Sequence, residues 1–179
     1  MDRTTLRSVQ APLKDRYADE PEAAQITLRA SGTIGDEEIA CSVDTGRALV
    51  EAGLHPATGG DGSLACSGDL LLQALVACAG VTLRAVATAL DVRVRGGTVH
   101  AEGDLDFRGT LAVGDDAAVG FTDVRVRFDL DTDATDEQLD TLTRLTERYC
   151  VVYQTLRSSP DIELQLSTDG HGHAAAAQA

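Results

Sequence analysis

Aromatic residues are scarce in this chain: they make up 3% of its 179 residues, and tryptophan is absent altogether. The hydrophobic core must therefore be aliphatic, built mainly from leucine, valine and alanine. The hydrophobic fraction of 43%, beside 25% charged residues, is ordinary for a globular protein. A single domain of this length buries a substantial core without structural disulfides or metal ions.

Basic residues are also few, with 15 lysines and arginines against 29 aspartates and glutamates and a formal net charge of −14. Because an acidic surface repels phosphate backbones and anionic lipid headgroups, this charge argues against nucleic acid or a membrane surface as a partner. The longest apolar run, from Leu70 to Leu83, is shorter than the roughly 20 residues that a bilayer span requires, and Gln73 and Arg84 interrupt it. We therefore predict that the chain does not cross a membrane.

Several motifs of metal-binding and hydrolytic proteins are missing from the sequence. Neither CxxC nor HxxxH occurs, so no metal site is expected, and the tail histidines His171 and His173 are interpreted as solvated. No GxSxG motif indicates a serine hydrolase. Residues 1–17 carry charges throughout and lack the apolar stretch of a secretory signal, so we expect a cytoplasmic protein whose four cysteines remain thiols.

Strand and helix patterns alternate along residues 24–167, which predicts a single α+β domain. Residues 1–23 are predicted as an N-terminal arm with about one helical turn, and residues 168–179 as a disordered tail. The turn residues GDEE predict a hairpin after the first strand, and Gly96 with Gly97 predict a second turn. Alternating apolar and polar residues predict strands in AAQITLRASGTI, EEIACSVDTG, RALVEA, TVHAEGDLDFRGTL, TDVRVRFDLD and DIELQLS.

Two helices are predicted from apolar patterns and capping residues. The first follows a glycine-rich loop and runs from an N-cap at Ser67 to Leu90, with Asp69 in its first turn. It is apolar around nearly its whole circumference, so we expect it to be buried at the centre of the fold. The second begins with a capping box of Thr135 and Gln138 and carries a stripe of leucines.

The four cysteines differ in their settings. Cys41 lies in a predicted strand and is interpreted as a small core residue, and Cys66 lies in the glycine-rich loop and is a weaker redox candidate. Cys78 lies in the middle of the apolar helix, and Cys150 follows the second helix. From spacing alone, these last two are as compatible with core packing as with a working thiol pair.

The segment GDLLLQALVACAGVTLRAV, followed far downstream by ERYCVVYQTL, resembles the OsmC/Ohr family of organic hydroperoxide reductases. The resemblance extends over roughly residues 24–167 and implies antiparallel sheets wrapped around a long buried central helix, in an interlocked homodimer. It implies that Cys78 is the peroxidatic cysteine, which becomes a sulfenic acid, and that Cys150 is the resolving cysteine, which then forms a disulfide with it. It further implies an organic hydroperoxide substrate, an external dithiol reductant and no cofactor.

The family also uses a glutamate and an arginine around the reactive thiol. Asp69 matches the acidic position with a side chain one methylene shorter, and the arginine is assigned first to Arg47 and second to Arg16. Cys78 follows Asp69 by nine residues, a half-turn and about 13.5 Å along a straight helix. Either the helix breaks between them or a second chain contributes to the site. His55, in the loop that enters the helix, is a candidate for lining the substrate pocket.

The activation of Cys78 also needs an explanation. Burial among apolar side chains raises a thiol pKa, and Cys78 lies far from the N-terminus of its own helix, so we predict that the fold brings a cation to it. Two functions follow from these observations. One is a thiol-dependent peroxidase, and the alternative is a non-catalytic OsmC-like protein that binds a hydrophobic small molecule.

Overall fold

The computed structural model describes residues 3–34, 41–43, 52–168 and 171–175. Short 3-10 helices at Pro21–Ala24 and Pro56–Thr58 accompany the main elements. Those elements are, in chain order, α1 (Arg3–Asp19), β1 (Gln25–Ile34), β2 (Cys41–Val43), β3 (Ala52–Gly53), β4 (Ala65–Cys66), α2 (Ser67–Ala89), β5 (Val94–Asp106), α3 (Phe107–Thr110), β6 (Phe121–Thr132), α4 (Asp136–Tyr149), α5 (Val151–Arg157), β7 (Leu164–Thr168) and β8 (His171–Ala175). The mixed helix and sheet composition confirms the predicted fold class.

The main sheet has four strands in the order β2-β1-β5-β6, and all neighbouring strands are antiparallel. Strand β5 lies in its interior and pairs along its length with both β1 and β6. The predicted turn at Gly96 and Gly97 is wrong, because both glycines lie inside β5 beside a shift in its register with β6. A Cβ atom on Gly97 would lie 2.5 Å from the carbonyl oxygen of Asp129, so the glycine permits a close approach of two strands.

Strand β6 has the two faces that its sequence predicts. Its outward face is charged, and the guanidinium of Arg125 pairs with carboxylates of Asp104 and Glu102 on β5 and of Asp123 on its own strand. Its inward residues pack against the main hydrophobic core: Val124, Val126, Phe128 and Leu130. The alternation therefore turns one side of the sheet towards the helices and leaves the other side solvated.

The predicted apolar helix is α2, which runs without interruption over Ser67–Ala89. Its first turn differs from the prediction, since Cys66 is the N-cap residue, without a side-chain capping hydrogen bond, and Ser67 is the first helical residue. Helix α2 packs against β1, β5, α4 and α5. Its buried residues form the centre of the main core: Leu72, Leu75, Val76, Ala79, Gly80, Leu83, Val86 and Ala87.

Helix α2 is longer than the apolar run on which the sequence argument against a membrane span rested. By length and composition alone it is long and apolar enough to cross a membrane, so the length of the apolar run does not by itself exclude a span. Its packing is nevertheless that of a core helix, because Leu72 and Val76 are fully buried between the sheet and the other helices. One side stays open, since Leu71 and Val81 each expose 38% of their surface.

The N-terminal arm is more regular than predicted. Instead of one turn, α1 is a helix of 17 residues that contains Pro12. Proline removes one backbone hydrogen bond from a helix interior, and packing compensates here. Tyr17 is 2% exposed in a second hydrophobic cluster with Phe107 and Leu111, and its hydroxyl donates a hydrogen bond of 2.7 Å to the carbonyl oxygen of Ala57. This contact ties α1 to the loop that enters α2.

The C-terminal half confirms one prediction, corrects another and adds a helix. The capping box of α4 is present, with Thr135 and Gln138 each bonded to the other's backbone. The segment after Cys150, which the sequence pattern left unassigned, is the helix α5. Residues 171–175, predicted in the disordered tail, form β8 and pair with β7. The predicted GDEE turn and most of the RALVEA strand lie outside the described residues.

Candidate active site

The fold brings Cys78 and Cys150 together. Cys78 lies in the middle of α2 and is partly buried, whereas Cys150 lies between α4 and α5 and is 1% exposed. Their side chains share a hydrogen bond. The two thiols are therefore neighbours in space although they are far apart in the sequence.

The geometry of Cys150 depends on the end of α4. Leu142, Thr146 and Cys150 follow one another at four-residue spacing, and all three are buried. Cys150 has extended backbone angles, φ −72° and ψ 108°, and so caps α4 at one side and begins α5 at the other. The change in direction at this residue places the first N–H groups of α5 beside α2.

The pKa of the Cys78 thiol lies below its ordinary value. Burial acts against this, because desolvation disfavours the thiolate and by itself raises the pKa. The backbone N–H groups of Val152 and Val151 donate hydrogen bonds to the sulfur and lower the pKa. The Cys150 thiol and the Thr82 hydroxyl donate two more, and together these donors outweigh burial.

The pKa of the Cys150 thiol is shifted in the opposite direction. Burial raises the pKa of its thiol to about 11, and the adjacent Cys78 adds to the increase, while the N–H groups of Tyr153 and Val152 oppose it. In the shared hydrogen bond, Cys150 is thus the donor and Cys78 the acceptor. The pair separates into one sulfur that ionises readily and one that keeps its proton.

No arginine of the described residues contributes to lowering this pKa. Among the described residues, the principal groups acting on Cys78 are backbone, thiol and hydroxyl donors. Arg16 pairs instead with Glu20 at 3.6 Å on the exposed side of α1. Arg47 lies outside the described residues, so its role stays a prediction. Sequence reasoning missed the α5 amides because backbone N–H groups have no signature in a residue pattern.

Asp69 and His55 form a separate group near the start of α2. Burial raises the pKa of the Asp69 carboxyl, and the nearby His55 opposes the increase. The His55 ring stacks on Phe107 with 4.8 Å between ring centroids, and its Nδ1 accepts a hydrogen bond of 3.0 Å from the N–H of Ala57. Because α2 is continuous, Asp69 and Cys78 of one chain lie on opposite sides of the helix, and the alternative of a broken helix is excluded.

A large apolar cleft of about 1230 Å³ lies beside the thiol pair. Cys66, His55 and Cys150 belong to its lining, whereas Cys78, the hydrogen-bonded neighbour of Cys150, does not. Most of the wall is hydrophobic and comes from α2, the inward face of β6 and α5: Leu71, Leu75, Ala79, Val124, Val126, Phe128, Tyr153 and Leu156. The part of the chain that the structure describes contains no group of three or more metal-ligating side chains.

Residues 60–165, more than half of the chain, match the family of OsmC-like proteins. The chain belongs to the OsmC-like family. The matched segment contains α2, both cysteines and the strands β5 and β6 between them. The segment ends before β8 and begins after β1 and β2, so the family match rests on the part of the fold that builds the thiol pair.

The OsmC-like fold is also evident from a solved structure. The chain is similar to the crystal structure of an OsmC-like hydroperoxide resistance protein from Jannaschia sp. CCS1, with a TM-score of 0.61 and 17% sequence identity. The similarity covers 85% of this chain and 99% of that protein. No curated protein sequence matches the chain. At this identity the likeness concerns the fold, and function must be argued from the site.

Proposed function

We propose that the protein is a thiol-dependent peroxidase that reduces organic hydroperoxides in the cytoplasm. The observation that carries the proposal is the unequal thiol pair, in which the pKa of Cys78 is lowered while that of its hydrogen-bonded neighbour Cys150 is raised to about 11. A nucleophile with a lowered pKa beside a second thiol is the arrangement that two-cysteine peroxide reduction requires. Membership of the OsmC-like family and the similarity to a hydroperoxide resistance protein support a peroxide-related role.

The first step uses the thiolate of Cys78. Its sulfur attacks the terminal oxygen of the hydroperoxide, an S–O bond forms, and the O–O bond breaks. The alkoxide leaves and takes up a proton to become an alcohol, and Cys78 becomes a sulfenic acid. The N–H groups of Val151 and Val152 contribute by keeping the sulfur ionised at a pH where an ordinary buried thiol is protonated.

The second step uses Cys150. Its sulfur attacks the sulfenic sulfur of Cys78, an S–S bond forms, and the sulfenic oxygen leaves as water with the Cys150 proton. Two thiols and one hydroperoxide thereby give one disulfide, one alcohol and one water. An external dithiol then reduces the disulfide by thiol–disulfide exchange and restores the pair. No cofactor takes part in these steps.

We further propose that the working form is an interlocked homodimer. Four hydrophobic residues of the cleft wall are strongly exposed in the single chain: Leu54, Leu71, Val119 and Ile162. A second copy of the chain would cover this rim and bring its own Asp69 and Arg47 towards Cys78, with Asp69 orienting the arginine. Light scattering is expected to give a mass near twice the 18.8 kDa of one chain, and a stable monomer at micromolar concentration contradicts the dimer.

Counting thiols tests the proposed activity. The reduced protein has four cysteines, and addition of cumene hydroperoxide is expected to remove two free thiols rapidly. Cys78→Ser is expected to abolish hydroperoxide consumption, whereas the control Cys41→Ser leaves it intact. Equal losses in both variants would contradict the assignment of the pair.

The second candidate function is binding of a hydrophobic small molecule without turnover. The apolar cleft of about 1230 Å³ favours it, because ligand sites are typically concave and mostly hydrophobic. The same thiol count separates the two functions. Full retention of free thiols in excess hydroperoxide, together with saturable binding of an apolar ligand, supports the binding protein.

A further inference from the structure

Two threonines of the fold are equally buried but differ in their hydrogen bonds. Thr58 and Thr146 each expose 4% of their surface. The hydroxyl of Thr58 donates a bond of 2.9 Å to the carbonyl oxygen of His55. The hydroxyl of Thr146 is fully buried and has no hydrogen-bond partner within the described ranges. Buried polar groups are almost always paired, so Thr146 requires an explanation.

The local helix does not provide that partner. A threonine inside a helix commonly donates back to the carbonyl oxygen four residues earlier, and Thr146 does not do so. A buried and unpaired hydroxyl is unfavourable for the folded state, and an apolar side chain of the same shape would avoid that cost. The position therefore carries a group that is better suited to contact with a ligand than to the stability of α4.

The surroundings of Thr146 indicate what kind of ligand fits. Thr146 belongs to the wall of the apolar cleft, as does Cys150 one helical turn further along. The two residues are linked directly, since the N–H of Cys150 donates to the carbonyl oxygen of Thr146 at 2.9 Å. The neighbouring wall is hydrophobic, with Leu75 and Ala79 on α2. A buried hydroxyl without a partner among the described residues thus belongs to the wall of an apolar cleft, one helical turn from Cys150.

We propose that the Thr146 hydroxyl binds the oxygen-bearing head of the substrate. The substrate class is a molecule with an apolar body, which fills the cleft, and one hydroperoxide group, whose alkyl-side oxygen accepts the hydrogen bond. This proposal rests on the proposed function. Thr146 would hold the leaving oxygen while the terminal oxygen faces the thiol pair, and it would position the substrate without transferring a proton itself.

Binding of two unreactive analogues to the reduced protein tests the hydrogen bond without any chemistry. Cumyl alcohol keeps the alkyl-side oxygen, and isopropylbenzene lacks it. Titration calorimetry is expected to show that the native protein prefers the alcohol. Thr146→Val should reduce this preference about tenfold, the value of one hydrogen bond, and Thr146→Ser should retain it. An unchanged preference in Thr146→Val overturns the proposal.

Kinetics and stability provide the second readout. Thr146→Val is expected to lower kcat/KM for cumene hydroperoxide about tenfold, mainly through KM, with no change in the rate of Cys78 alkylation by iodoacetamide. It should also raise the melting temperature, while Thr58→Val lowers it, because only Thr58 has a partner to lose. A lowered melting temperature or a weakened dimer in Thr146→Val overturns the proposal, since either shows that the hydroxyl is paired within the protein.

Failure of this proposal and failure of the proposed function give different results. If the native protein consumes no hydroperoxide but prefers the alcohol through Thr146, the binding site stands and the peroxidase does not. If the native protein turns over hydroperoxide and Thr146→Val behaves like it in both assays, the peroxidase stands and the hydroxyl has no role in binding.

Discussion

The N-terminus and the middle of α2 differ in how they treat an ionisable side chain. The N-terminus carries Cys66 as its cap residue and Asp69 in its first turn, where helix amides usually stabilise anions. The middle carries Cys78 among apolar neighbours, where burial disfavours a charge. Yet the pKa of Asp69 is raised at the N-terminus, and the pKa of Cys78 is lowered in the middle.

The contrast shows that the donors which matter come from another part of the chain. At the N-terminus, burial dominates for Asp69, and among the described residues it is the nearby His55 that opposes it. In the middle, the start of α5 supplies the N–H groups of Val151 and Val152 to Cys78. A thiol in the middle of an apolar helix can thus be ionised by a second helix that begins beside it, without its own helix terminus.

The largest expected effect concerns the asymmetry of the thiol pair. In Cys150→Ser, Cys78 should react once with hydroperoxide and stop as a sulfenic acid, which excess peroxide then converts to sulfinic acid. Turnover with an external dithiol should be lost, and mass spectrometry of the intact protein should show the added oxygen atoms. Sustained turnover at the native rate would mean that Cys150 is not the resolving thiol.

The next prediction tests whether an arginine, in addition to the hydrogen-bond donors, activates Cys78 in the middle of α2. Arg47→Ala is expected to slow hydroperoxide reduction on the order of 10²–10³-fold, as for the loss of one oxyanion donor, and Arg16→Ala should leave the rate unchanged because Arg16 pairs with Glu20 at the surface. Stopped-flow kinetics measures both. If Arg16→Ala is the impaired variant, the second assignment is the right one, and two unimpaired variants exclude both assigned arginines.

A smaller effect tests the hydroxyl donor to Cys78. Thr82→Val removes one hydrogen bond to the thiolate, which raises the pKa of Cys78 and slows its alkylation severalfold at a pH below that pKa. Thr88→Val is the matched control, since the Thr88 hydroxyl donates at 2.8 Å to the carbonyl oxygen of Arg84 on the exposed side of the same helix.

The pH dependence of alkylation distinguishes the lowered pKa of Cys78 from the raised pKa of Cys150. In the native protein, Cys78 should become reactive below the ordinary thiol pKa, and Cys150 only near pH 11. Because the pKa of Cys78 is lowered on folding, its ionisation stabilises the fold above the ordinary thiol pKa, and this contribution is lost as the pH falls through the lowered value. Two cysteines that titrate together would contradict the division of roles.

The smallest effect concerns the N-terminus of α2. Since burial raises the pKa of Asp69, the folded protein holds that proton more tightly than the unfolded chain, and ionisation destabilises the fold. Asp69→Asn should therefore slightly increase the free energy of unfolding at pH 7, and the gain should disappear below the ordinary value of 3.8. Urea denaturation at both pH values is the measurement. Destabilisation at pH 7 would instead show that the proposed contact of Asp69 with Arg47 outweighs the effect of burial.

Part of the fold and of the site was predictable because the signals are local. The strand β6 follows from alternating residues, and α4 follows from the capping box of Thr135 and Gln138. The relation between Cys78 and Cys150 followed from a resemblance to a family, not from spacing. The helix α1 was missed because Pro12 suggested a break, whereas the packing of Tyr17 against Phe107 supports the helix from outside it.

The sequence by itself determined the aliphatic core, the acidic surface, the two faces of β6 and the central apolar helix, because each depends on residue types at short periods. Only the tertiary structure decided that α5 begins beside Cys78 and that the hydroxyl of Thr146 is buried without a partner in the described chain. The physical reason is that hydrogen bonds and desolvation depend on distances between segments, and backbone donors are the same in every residue except proline.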